Sequence, residues 1–137
     1  MKANELMIGD WIGWLPTWTN EETGEIEWDG DRNHPIIGKV GTLINDCATI
    51  DTCDESIEVE DIGLIPIPLT REILERNGWK EAVLRHWNIE DDFAIEKGED
   101  GNIFWFLCGT AIVCTLNYVH ELQHAMRLRG IKKEIVL

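Results

Sequence analysis

Ile65-Pro66-Ile67-Pro68-Leu69-Thr70 is the stretch on which the reading of this chain turns. Pro66 and Pro68 each lack an amide hydrogen and push the preceding residue out of helical backbone, so neither a helix nor a paired central strand runs through here. The charge changes across it. Residues 1–68 carry 15 acids and three bases, and residues 69–137 carry 11 acids and nine bases. A boundary or hinge follows, with an acidic half at 1-65 and a mixed half at 66-137. The chain has 137 residues, the size of one ordinary domain or two very small ones sharing a core.

Upstream of the prolines the chain reads as short strands. Leu6 to Ile12 is an apolar segment broken by a Gly9-Asp10 turn. Residues 15–35 hold Pro16, Gly24, Gly30 and Pro35 among many charges, which predicts a long loop with a hairpin around Thr23-Gly24. Ile36 to Ile44 and Ala48 to Ile50 read as strands; Ile57-Glu58-Val59-Glu60 alternates as a half-buried strand does, and Ile62 to Ile65 extends it. Several short strands with polar turns predict a small SH3-like β-barrel.

Downstream, Thr70 caps a helix that Gly78 closes. Trp79 to Trp87 and Phe93 to Glu96 are expected strands, with a turn at 98–102. Ile103 to Cys108 is apolar throughout, which predicts a strand covered on both faces, and Thr110 to Thr115 pairs back on it. Asn117 is the expected cap of a terminal helix, 118-129, ended by Gly130, and Ile131 to Leu137 the closing strand. The expected class is α+β: the SH3-like half packed with a C-terminal α-β-β-β-α-β unit. Truncating Trp105 in the apolar strand should cost on the order of 3–5 kcal/mol, and truncating Trp18 in the polar loop little.

His120-Glu121-Leu122-Gln123-His124 matches H-E-x-x-H. Two histidines four apart share a helical face and can reach one zinc ion, with the glutamate as base toward its water. Catalytic zinc needs a third ligand, yet Glu134 is the only acid after His124, and Gly130 stands where the longer pattern has its third histidine. At 100° per residue, Tyr118, Val119, Leu122, Ala125 and Met126 form the buried stripe, placing His120, His124 and Arg127 on the solvent side. Cys108, Cys114, His120 and His124 resemble a zinc-finger ligand set, but five residues separate the pairs where a finger has about twelve. Cys47/Cys53 and Cys108/Cys114 are spaced too widely for a zinc knuckle, and buried reduced thiols are the expectation.

Seven tryptophans are far more than a disordered chain carries. Trp11, Trp14, Trp18 and Trp28 lie near Glu21, Glu22, Glu25 and Glu27, either as a site for a cation or basic peptide or as the roof of a small core. Trp14, Trp18, Trp28, Glu25 and Glu27 are the candidate binding residues. Asp51, Asp54, Glu55, Glu58, Glu60 and Asp61 lack the calcium-loop pattern; the phosphate-loop pattern is absent around Lys39; Ser56, the lone serine, has no nucleophile elbow. The net charge of -14 speaks against direct nucleic-acid binding and against anionic membranes. With no apparent signal segment, the expectation is a cytoplasmic protein.

Ala3 to Trp11, the Ile65-to-Leu74 segment with Asn77-Gly78-Trp79, and Tyr118-Val119-His120-Glu121-Leu122-Gln123-His124 with Gly130 together resemble small uncharacterised proteins of Bacteroides-type gut bacteria and their phages or mobile elements. Those proteins carry no assigned activity. Their last helix commonly has Gln and Asn where this chain has Glu121 and His124, so the resemblance lends the zinc reading no support. It implies a phage-associated protein, and a non-catalytic role is the leading expectation. Three functions are expected candidates: binding a basic protein partner through the acidic, Trp-rich face, with no cofactor; mimicry of DNA toward a nucleic-acid-binding protein; and zinc-dependent hydrolysis by His120, Glu121 and His124.

Overall fold

The computed structural model describes residues 1–90, 93–98 and 104–137. Of the expected turn at 98–102 all but Gly98, together with Ile103 at the start of the apolar strand, lie outside the described residues. The chain falls into two units, Met1–Ile67 and Pro68–Leu137, with the division between the two prolines. The architecture is mixed α+β, mostly strands with two α-helices among the described residues.

In the first unit, β1 (Trp11–Trp14), β4 (Ile36–Ile44), β5 (Cys47–Asp51), β6 (Ser56–Glu60) and β7 (Leu64–Ile65) form one antiparallel sheet in the order β6-β5-β4-β1-β7. Between β1 and β4, β2 (Thr17–Thr19) and β3 (Ile26–Trp28) pair as a separate hairpin. The long β4 serves two neighbours. Its first half pairs with β1, its second with β5, and the register shifts between Val40 and Thr42. Gly41 is the extra residue of that bulge, which bends a strand and helps the sheet curl. Gly38 permits close packing: a Cβ there would sit 2.5 Å from Ile50 Cγ2 and 2.8 Å from the Asp51 carbonyl.

The alternation along β5 and β6 sends Ala48, Ile50 and Val59 inward, where Ile12, Trp14, Val40 and Leu64 meet them. Asp10 is fully buried because its carboxylate accepts from the Met7 amide at 2.8 Å and closes the Gly9 turn. Ile62 does not extend β6. Asp61–Gly63 forms a short 3-10 helix before β7.

The second unit opens with α1 (Arg71–Arg76), capped by the Thr70 hydroxyl, which accepts from the Ile73 amide at 3.3 Å. Gly78, at φ 86, lets the chain leave the helix. Five strands follow as a meander: β8 (Lys80–Val83), β9 (His86–Glu90), β10 (Phe93–Lys97), β11 (Phe104–Cys108) and β12 (Ala111–Leu116). The span Trp79 to Trp87, expected as one strand, is broken by a turn at Leu84-Arg85 that sets Arg85 at φ 61. The last helix of the unit is α2 (Val119–Leu128). Trp79, Trp87 and Phe106 are its largest buried side chains, with Trp79 edge-on to Phe106 and Trp87 tilted against Phe104.

Residues 131–137 are not a strand, which corrects the closing element of the expected order. Ile131 and Ile135 are buried, but Lys133 between them, which alternation would also turn inward, is exposed. Among the described residues no strand pairs with this segment. The Asn77 side chain pairs with it instead: its amide nitrogen donates to the Val136 carbonyl at 2.8 Å, and its oxygen accepts from the Val136 amide at 2.6 Å. The same nitrogen donates to the Ile73 carbonyl at 2.8 Å. A side-chain amide thus takes the place of a neighbouring strand's peptide.

Candidate functional site

In the first unit, the end of the β4–β5 turn, the outer edge of β6, the 3-10 helix and the β2–β3 hairpin enclose a cleft of about 700 Å³. Its apolar part is Ile26, Ile44 and Ile62. Its charged part is Asp46, Glu58, Glu60 and Asp61. No basic side chain is among the described residues that line it.

Local chemistry builds each wall. Asn45 takes a positive φ of 51, which asparagine tolerates, and so tightens the turn that presents Ile44 and Asp46. The Asp61 amide donates to the Asp46 carbonyl at 3.0 Å, tying the 3-10 helix to that turn. Asp61 Oδ1 accepts from the Ala3 amide at 2.6 Å, so one of its oxygens is engaged. The Trp28 indole donates to the Ile62 carbonyl at 3.3 Å and folds the hairpin over the helix. Glu58 and Glu60 lie two apart on a strand and therefore share a face. A second crevice of about 380 Å³, lined by Trp14 to Thr17 and Ile57 to Glu60, adjoins the same two glutamates.

Cys47 lies in the cleft, opposite Glu60 across the β5–β6 ladder. Burial pushes its thiol pKa up, and the negative charges of Glu58, Glu60 and Asp46 push it the same way. The thiol therefore stays protonated at neutral pH and is a poor nucleophile. All four cysteines are free; Cys53 is exposed and the other three are half-buried, so the expectation of buried thiols is corrected.

The five candidate binding residues do not form one face. Trp14 is 8% exposed and belongs to the core. Trp18 is 49% exposed and pairs across the hairpin with Glu27. Trp28, in register with Thr17, points to the hairpin's other face, where the Arg32 guanidinium lies 4.2 Å above its ring. Glu25 and Glu27 are exposed, and Glu27 accepts from the Asn20 side chain at 3.1 Å. The acids spread too: Asp51, Asp54 and Glu55 stand at the β5–β6 turn, at the far end of those strands from Asp46 and Glu60.

In α2 of the second unit, the solvent-side assignment of His120 is overturned. His120 is 5% exposed, its ring stacked on Tyr118 with centroids 5.8 Å apart and edge-on to His124 at 5.6 Å. Tyr118, expected inside, is 37% exposed. The wheel gave correct angles but not the width of the covered sector, which extends past Leu122 and Met126 to His120 and Gln123. The cap falls on Tyr118, not Asn117, and Glu121 serves it: its Oε1 accepts from the Asn117 and Tyr118 amides, at 3.0 Å each. Among the described residues no three His, Cys, Asp or Glu side chains converge to hold a metal. A glutamate fixed on two backbone amides, beside a histidine pair with no third converging donor, does not fit a catalytic zinc centre.

Sequence reasoning missed Ile26, Ile44, Asp46, Cys47 and Ile62 as parts of one site. Only the Glu58/Glu60 alternation pointed there. Comparison with protein-family models, curated proteins and solved structures finds no match. Among the described residues no helix is long and apolar enough to cross a membrane.

Proposed function

We propose that this chain is a non-catalytic, cytoplasmic interaction protein of the phage or mobile-element type, whose first unit is an SH3-like barrel that binds a positively charged protein partner. The SH3-like reading is supported by the strand order β6-β5-β4-β1-β7, by the hairpin between β1 and β4, and by the 3-10 helix before the short closing strand β7. The observation that carries the function is the cleft: four carboxylates and three isoleucines, with no base among its described lining residues. A basic surface is drawn to such a cleft at long range, and the isoleucines reward contact.

Any acidic protein attracts polycations, so the test must separate site from net charge. Binding of the full chain to a lysine-rich polypeptide is compared in two variants that lose equal charge. Glu58→Gln/Glu60→Gln, in the cleft, should weaken binding about tenfold, or roughly 1.4 kcal/mol. Asp54→Asn/Glu55→Gln, at the far turn, should leave it nearly unchanged. Equal losses in both variants would reject the cleft as the site.

A further inference from the structure

We infer that the cleft takes one extended segment of a partner protein, carrying two Lys or Arg side chains two residues apart and an apolar side chain two residues from the nearer of them. This rests on the reading of the first unit as a binder of basic protein. The four carboxylates do not converge on one point: among the described residues no group of three can hold a metal. They are arranged to meet separate cations. Glu58 and Glu60 are spaced by the strand repeat, about 6.8 Å for two residues. A ligand with the same period of two, itself extended, puts a cation over each.

The apolar part lies at one end of this pair. Glu60 is in register with Cys47, Cys47 with Ile44, and the chain runs on from Glu60 to Ile62. Ile44 is 63% exposed and Ile62 41% exposed, so each offers apolar surface that a ligand side chain can cover. Beyond Glu60, then, the next inward-facing ligand position meets Ile62, while Ile44 stands abreast of Glu60 across the sheet and widens the apolar part sideways. The alternating pattern of two cations and one apolar group follows, in either chain direction. The ligand is a protein segment and not a small polyamine, because a polyamine supplies cations with nothing bulky for the isoleucines to cover.

The experiment uses the full chain and short fluorescent peptides. Lys-Thr-Lys-Thr-Leu and its reverse, Leu-Thr-Lys-Thr-Lys, are compared with the isomer Lys-Thr-Thr-Lys-Leu and with oligolysine. At least one alternating peptide should bind about tenfold more tightly than the isomer. Its binding should slow alkylation of Cys47 but not of Cys53, which places it in the cleft. Ile62→Ser, at an exposed position, should abolish the preference for Leu over Ser at the apolar position. Equal affinity of isomer and alternating peptides, or unprotected Cys47, would overturn the inference while leaving a basic partner in place. Failure of oligolysine and every peptide to bind would overturn both.

Discussion

Glu121 and Asn77 show how much one polar side chain can carry in the second unit. Glu121 holds two amides that open α2. Glu121→Ala should cost about 1 kcal/mol in a denaturant melt, with Glu121→Gln costing less, because a neutral amide oxygen still accepts. A general base acting on a metal-bound water would behave in the opposite way, losing activity in Glu121→Gln with no change in the melt. Asn77 makes three bonds to Ile73 and Val136 while only 4% exposed. Asn77→Ala should cost about 2–3 kcal/mol, since it strands buried backbone groups. At Cys47, removing the charges of Glu58 and Glu60 removes part of what disfavours the thiolate. In Glu58→Gln/Glu60→Gln the alkylation rate of Cys47 should therefore rise at lower pH than in the parent, as followed by mass spectrometry of each cysteine. H-E-x-x-H was legible as a pattern and misleading as chemistry. Spacing along a helix says which groups share a face, not whether the glutamate is free to act.

At the scale of elements, the apolar run around β11 was legible because no polar residue interrupts it. The weight within it was not. Phe106 is fully buried, whereas Trp105, on the opposite face next to the buried Leu107, is only half-buried. Phe106→Ala should cost on the order of 3–5 kcal/mol and Trp105→Ala distinctly less, in denaturant melts. The Leu84-Arg85 turn was missed because it uses no Gly, Asn, Asp or Pro. The β2–β3 hairpin was legible from Gly24, but its organiser is Asn20, whose oxygen accepts from the Glu22 and Thr23 amides. Asn20→Ala should speed hydrogen exchange in the hairpin while leaving the sheet's exchange unchanged. Loss of protection across β4 and β5 as well would show that the hairpin is a structural part of the sheet.

For the molecule as a whole, charge sets two responses of opposite sign to one variable. The first unit holds 15 acids against three bases, so its like charges repel when it is folded. Raising salt to physiological strength, where screening acts over about 8 Å, should raise the thermal midpoint. The same titration should weaken binding of a basic partner. A midpoint that falls with salt would mean that attractive pairs outweigh the repulsion. The two-part division and the acidity of one part were legible at 65–70, because prolines and charge counts are local. The cleft was not, because it joins residues from 26 to 62 through backbone bonds such as Asp61 to Asp46 that no pattern announces.

The bond from Asn77 to Val136 also gives the protein a chemical age. Asn77 precedes Gly78, the pairing least hindered toward attack by the following amide nitrogen on the side-chain carbonyl, with loss of ammonia and then hydrolysis to aspartate or isoaspartate. While folded, that amide is buried and held in three bonds, and the Gly78 nitrogen is turned to the Glu75 carbonyl. Each opening of this segment exposes the pair to the reaction. The product lacks the donor for Ile73 and Val136 and brings a carboxylate into an apolar place, so it refolds less well. Time spent open is thereby written irreversibly into the chain at this position.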